Sequence, residues 1–88
     1  MKAVVYSGEN CVWCDRVMKA LDATHLEVEK KMVTDKEVMD EINEIMEEPI
    51  RTVPQVVIDG NHIGGYTEVE RFLNNYFRKG HDHQGILS

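Results

Sequence analysis

The stretch Asn10–Arg16, NCVWCDR, holds the only two cysteines of the chain, three positions apart, with a valine and a tryptophan between them. Its flanks decide the fold. Upstream, Lys2 to Tyr6, KAVVY, is β-branched and aromatic, with the turn signal Ser7-Gly8-Glu9-Asn10 directly behind it, and reads as a short buried strand. Downstream, from about Val12 to Ala23, the period changes. Val17, Met18 and Leu21 make an apolar stripe, while Val12, Arg16, Lys19 and Ala23 fall on another face. The cysteines therefore stand where a strand turns into a helix, with Cys11 at the helix N-terminus.

The rest of the chain continues the alternation. Leu26 to Val33, LEVEKKMV, begins with apolar residues alternating with charge, which suits a strand with one face in water. Thr34 and Glu37 have capping-box spacing and open a second helix, whose stripe is Val38, Ile42, Ile45 and Met46 and which Pro49 ends. Beyond Pro54, QVVIDGNHIGG reads as a hairpin: Val56 to Ile58 outward, Asp59-Gly60 as the turn, His62-Ile63 returning. Thr67 to Glu70 repeats the capping-box spacing, and Val69, Phe72, Leu73, Tyr76 and Phe77 give the last helix its apolar face. The order β-α-β-α-β-β-α predicts an α/β fold, a four-stranded mixed sheet with three helices.

Eighty-eight residues, 42% of them apolar, suffice for one core. The expected division is one domain over 1–79 and a flexible C-terminal tail over 80–88, where GHDHQGILS is polar and broken by glycine. The N-terminal apolar run AVVY is too short for a secretory segment, and no window reaches the roughly 18 apolar residues of a membrane span. The expected location is cytoplasmic, where paired cysteines are more often catalytic or metal-binding than structural. Ten Lys and Arg against 16 Asp and Glu give a net charge of -6, which opposes nucleic acid. The acidic run Glu41 to Glu48 reads as the wet face of its helix.

Placement turns the cysteine pair into a chemical argument. At a helix N-terminus the Cys11 sulfur meets unpaired amides and the positive end of the helix dipole, which favour thiolate and lower its pKa. Cys14, about one turn further in, is expected to be more buried and less ionised. That suits two-step exchange: Cys11 attacks an incoming disulfide, then Cys14 attacks Cys11 and releases the reduced product. A structural bridge this short removes little unfolded-state entropy. A zinc site would need ligands from His25, His62, His81 and His83, two of them in the tail. No metal is expected. Met18, Met32, Met39 and Met46 are spaced as core filler, and His81 and His83 as solvated tail residues. Tyr6 ends the first strand close to Cys11, where core packing accounts for it.

Three motifs then occur in order: CVWC at Cys11–Cys14, TVP at Thr52–Pro54, and GGYTE at Gly64–Glu68. Together they resemble the glutaredoxins over nearly the whole chain, from Lys2 to about Phe77. The resemblance implies the thioredoxin fold, a dithiol active site with Cys11 as nucleophile and Cys14 as resolving thiol, and a cis Val53-Pro54 bond facing the cysteines. It also implies a glutathione platform. Val53 would pair with the cysteine of glutathione as a short added strand, beside Thr52 and Pro54. Gly65, Tyr66 and Thr67 would hold its γ-glutamyl carboxylate at a helix N-terminus, with Glu68 placed for the amino group. Arg51 resembles a basic position that pairs with the glycine carboxylate, and Trp13 would shield the sulfur.

Two departures bear on that platform. Family members commonly read CPYC, where this chain has Val12 and Trp13, and many carry a lysine where this chain has Gly8. The resemblance implies a glutathione-dependent thiol-disulfide oxidoreductase, monomeric, taking electrons from glutathione to disulfide-containing or glutathionylated proteins, with ribonucleotide reductase a reasonable client. Two alternatives stand beside it. One is an iron-sulfur-cluster-binding glutaredoxin dimer. The other is a redoxin reduced by thioredoxin reductase, to which the CVxC pattern is similar.

Overall fold

The computed structural model describes the backbone of residues 1–85 and the side chains of residues 1–76. Strand β1 (Lys2–Ser7) is central in a four-stranded sheet of order β2-β1-β3-β4. It pairs in parallel with β2 (Glu27–Met32), Lys2 opposite Glu27 and Ser7 opposite Met32, and antiparallel with β3 (Gln55–Ile58), Val5 opposite Val56. β4 (Asn61–Gly64) completes the sheet as the hairpin partner of β3. The tight turn between them has Asp59 at φ 51° and Gly60 at φ 84°, the left-handed pair that a two-residue hairpin needs.

Alternation along β1 and β3 divides the core in two. Ala3, Val5, Val56 and Ile58 face helices α1 (Val12–Asp22) and α3 (Tyr66–Gly85), whose Val17, Leu21, Val69 and Leu73 close that layer. Tyr6 and Val57 face the other side, against Ile42 of α2 (Lys36–Met46). Each fully buried aliphatic side chain in these layers contributes about 1.5–3 kcal/mol. β2 is a half-buried edge strand, with Lys2 of its neighbour bridging to Glu29 at 3.0 Å. The observed order β-α-β-α-β-β-α is the expected one.

Several element ends differ from the sequence reading. The N-cap of α2 is Asp35 and not Thr34: the Asp35 carboxylate accepts from the Glu37 amide at 2.9 Å. Both residue types cap, and the adjacent Asp35 takes the position. Helix α2 ends at Met46 and not at Pro49, because Glu47 turns left-handed at φ 61° and Glu48 N–H closes on the Asn43 carbonyl at 3.2 Å. Helix α3 begins at Tyr66, one residue before Thr67, so Thr67 is not its N-cap. Met39 is exposed, while Met18 and Met46 pack against the core as expected.

The backbone of α3 runs on to Gly85, past the Gly80 at which a tail was expected, since a glycine inside a helix costs only about 1 kcal/mol and no proline follows. The remainder of that tail, and the side chains of Phe77, His81 and His83, lie outside the described residues. Tyr76 is exposed and stacks with Phe72 at 6.1 Å, so it is not part of the buried face. Among the described residues no helix is long and apolar enough to cross a membrane.

Candidate active site

The turn from β1 into α1 delivers the cysteines. Cys11 is the N-cap of α1, in extended conformation (φ -106°, ψ 104°), and its sulfur accepts the Cys14 backbone amide at 3.1 Å. A sulfur thus sits where a serine or aspartate oxygen ordinarily satisfies a first-turn donor. Cys11 and Cys14 form a disulfide, with Cα atoms 5.2 Å apart. Cys14 is buried at 2% exposure, Cys11 is half-buried, and Val12 and Trp13 between them are exposed, so a reagent arriving from solvent meets Cys11 first.

Across from this turn the Val53-Pro54 peptide is cis, and the Val53 carbonyl lies 3.7 Å from the Cys11 sulfur. A groove of about 200 Å³ opens beside the disulfide. Thr52, Val53 and Pro54 form one wall, Gly65 to Glu68 the other, and Trp13 the end. The two walls come close at Gly65, where a Cβ would stand 3.4 Å from the Pro54 carbonyl. Gly64, at φ 130°, turns the chain into α3, and a Cβ on it would stand 2.8 Å from the Glu68 Cγ. The wall from Gly65 onward is the first turn of α3, whose amides have no intrahelical acceptor. One of them is taken already: Glu68 Oε1 accepts from Gly65 N–H at 2.9 Å.

Trp13 bridges the two helix starts. Its ring meets Tyr66 at 5.3 Å, and the Arg16 guanidinium stands 4.8 Å from its centroid. On the opposite side of the disulfide a second groove, of about 630 Å³, runs from Gly8 and Glu9 along Cys11 and Asp15 to Lys30 and Met32. A Cβ at Gly8 would approach the Val53 Cγ2 to 3.0 Å, so the position is tight for any larger residue.

The structure therefore brings Cys11, Cys14, Trp13, Thr52, Val53, Pro54, Gly65, Tyr66 and Thr67 together. Arg51 is exposed and lines neither groove. Tyr6 turns away to α2, where its hydroxyl donates to Glu41, and burial followed by that hydrogen bond pushes the phenol up. Two residues next to the site were not expected there: Gln55, and His62, which the sequence offered only as a hairpin residue and a zinc-ligand candidate; their side chains meet at 2.7 Å behind Thr52. The hairpin register was the signal for them, because pairing Val57 with His62 makes Gln55 a diagonal neighbour on the same face. Among the described residues, no group of three or more His, Cys, Asp or Glu side chains is placed to hold a metal ion.

Comparison with known proteins gives one family. The glutaredoxin family model matches residues 3–63. No curated protein gives a significant match. Among solved structures, a dithiolic glutaredoxin of Trypanosoma brucei brucei is 29% identical over 90% of this chain and 84% of its own, with a TM-score of 0.69. A buckwheat glutaredoxin-glutathione complex is 27% identical over 83% of this chain and 68% of its own, with a TM-score of 0.67. Reduced Escherichia coli glutaredoxin, 23% identical over 89% of this chain and 99% of its own, shares the fold with a TM-score of 0.70.

Proposed function

The chain belongs to the glutaredoxin family of thiol-disulfide oxidoreductases, and from that premise we propose that it is glutathione-dependent, with Cys11 as nucleophile and Cys14 as resolving thiol. The observation that carries this reading is the groove beside the disulfide, where the Val53 backbone and the first turn of α3 converge within reach of the Cys11 sulfur. Glutathione is a short peptide with a carboxylate at each end. An exposed strand-like backbone suits its middle, and a helix N-terminus suits one carboxylate. A buckwheat relative bound to glutathione supports the same ligand here.

In the reductive half-reaction a glutathione thiolate attacks the Cys11 sulfur, forms a mixed disulfide there and releases Cys14 as a thiolate that takes a proton. A second glutathione thiolate attacks the glutathione sulfur, so oxidised glutathione leaves and Cys11 departs as a thiolate. That leaving group is favoured by the Cys14 amide and the α1 dipole. The Cys11 thiolate then attacks a client disulfide or a glutathionylated cysteine. For a protein disulfide, Cys14 resolves the mixed disulfide and restores the oxidised state. Trp13 shields the sulfur, and Arg51, exposed one residue before the groove-lining Thr52, is the cation we assign to the second carboxylate although it lines neither groove. Clients are disulfide-containing or glutathionylated cytoplasmic proteins, ribonucleotide reductase among them.

Turnover of a glutathione mixed disulfide, coupled to glutathione and its reductase, tests the reading. Wild type is expected to turn over, Cys11→Ser to be inactive and Cys14→Ser to retain activity on the mixed disulfide. An inactive wild type would overturn glutathione dependence.

A further inference from the structure

Behind the TVP loop a chain of side-chain hydrogen bonds runs inward from the hairpin. His62 Nε2 lies 2.7 Å from Gln55 Oε1, and Gln55 Nε2 lies 3.1 Å from both the Thr52 carbonyl and the Thr52 hydroxyl. Gln55 is buried at 8% exposure, while His62 is exposed on β4 and Thr52 is exposed on the groove wall. The direction of each bond follows from one atom. A backbone carbonyl only accepts, so the Gln55 atom facing the Thr52 carbonyl is the amide nitrogen. Its oxygen therefore faces His62, and the His62 Nε2 must carry a proton to donate to it. The Gln55 nitrogen only donates, so the Thr52 hydroxyl oxygen accepts from it. The hydroxyl proton of Thr52 is left pointing elsewhere, and its residue lines the groove.

We propose that His62 and Gln55 are positioning residues that fix the polarity of this chain, so that the Thr52 hydroxyl is presented as a donor to an acceptor oxygen of glutathione bound in the groove. The inference rests on the glutathione reading and adds to it a specific polarity. Without Gln55 to donate, the Thr52 hydroxyl turns inward to its own loop. Without His62, the buried Gln55 oxygen loses its donor, and the amide that donates to Thr52 is held from one side only. Neither residue touches the reacting sulfur, so the effect falls on binding of the ligand and not on thiol exchange.

Two measurements test it. The first is turnover of a glutathione mixed disulfide by His62→Leu, His62→Gln and Gln55→Glu. His62→Leu removes the donor from an exposed site, and His62→Gln restores an N–H at similar reach. Gln55→Glu accepts from the Thr52 hydroxyl and so reverses the polarity. The expected result is a KM raised about three- to tenfold in His62→Leu and Gln55→Glu, the worth of one hydrogen bond, with kcat little changed and His62→Gln close to wild type. Unchanged KM values in an active, folded His62→Leu would overturn the proposal. The second is ¹⁵N spectroscopy of the His62 ring in the free protein, which reads the tautomer directly whether or not glutathione is the ligand. A protonated Nε2 in the neutral ring supports the assigned polarity, and a protonated Nδ1 alone overturns it. An inactive wild type with the assigned tautomer would instead sink the glutathione reading, and the donor role with it.

Discussion

Helices α1 and α2 are both 11 residues long, and each starts with a side chain that accepts a backbone amide of its own first turn. At α2 the acceptor is the Asp35 carboxylate, out in solvent, bonded to the Glu37 amide. At α1 it is the Cys11 sulfur, half-buried against the Val53 carbonyl. The physics is shared: an electron-rich atom meets orphan donors and the positive end of a dipole. The outcome differs because a solvated carboxylate is ionised at neutral pH with or without a cap, whereas a free thiol ionises near pH 8.5. At Asp35 the cap stabilises a helix. At Cys11, once the disulfide is reduced, the same donors would act on which form of the sulfur exists, which is the basis of the nucleophile role proposed for it.

The largest effect that would break this comparison is in the thiol itself. In reduced protein carrying Cys14→Ser, ultraviolet titration of thiolate should place Cys11 below the ordinary thiol range, and a value at or above it would show that the cap does no chemistry. Second in size is the ordinary cap. Asp35→Ala should lower stability in urea by about 1 kcal/mol while leaving turnover as it was, and a loss of turnover would show that the two helix starts are coupled.

The smallest concerns the brace that holds α2 on the sheet. Hydrogen bonds from Lys31, then from Tyr6, hold the Glu41 carboxyl below the usual range. A carboxyl whose pKa is lower folded than unfolded adds stability above its unfolded value of about 4.5 and loses it as pH falls through the folded one. Glu41→Gln should therefore be less stable than wild type at pH 7, by about 1 kcal/mol or less for so exposed a pair. The gap should narrow as pH falls below about 4.5 and close once it passes the lower folded value, and a gap constant across the range would show that packing, not charge, carries the brace.

How much of this was legible depended on the distance over which the signal acts. The order of elements along the chain came from local patterns, because KAVVY and QVVI are β-branched runs with turn residues behind them, and Asp59-Gly60 imposes a hairpin by backbone geometry alone. Helix ends were less legible. Thr34 and Asp35 are adjacent, both cap, and only the three-dimensional path chooses between them. At α3 the expected Thr67–Glu70 box gave way to Glu68 reaching back to the Gly65 amide, an equal pattern two residues earlier that the tight Gly64 turn selects. The cysteines were legible because their placement follows from one strand-helix junction. Gln55 was not singled out, and His62 only as a candidate metal ligand, because a side-chain chain across a hairpin has no linear motif.

The contact between Trp13 and Tyr66 has a practical consequence. The chain has a single tryptophan, two positions from Cys11 in the exposed turn between the two sulfurs, with the guanidinium of Arg16 over its ring. An excited indole gives up its energy readily to a neighbouring disulfide and less readily to a pair of thiols. Tryptophan emission, excited selectively beyond the absorption of the three tyrosines, therefore arises beside the cysteine pair, and the protein reports its own oxidation state as light.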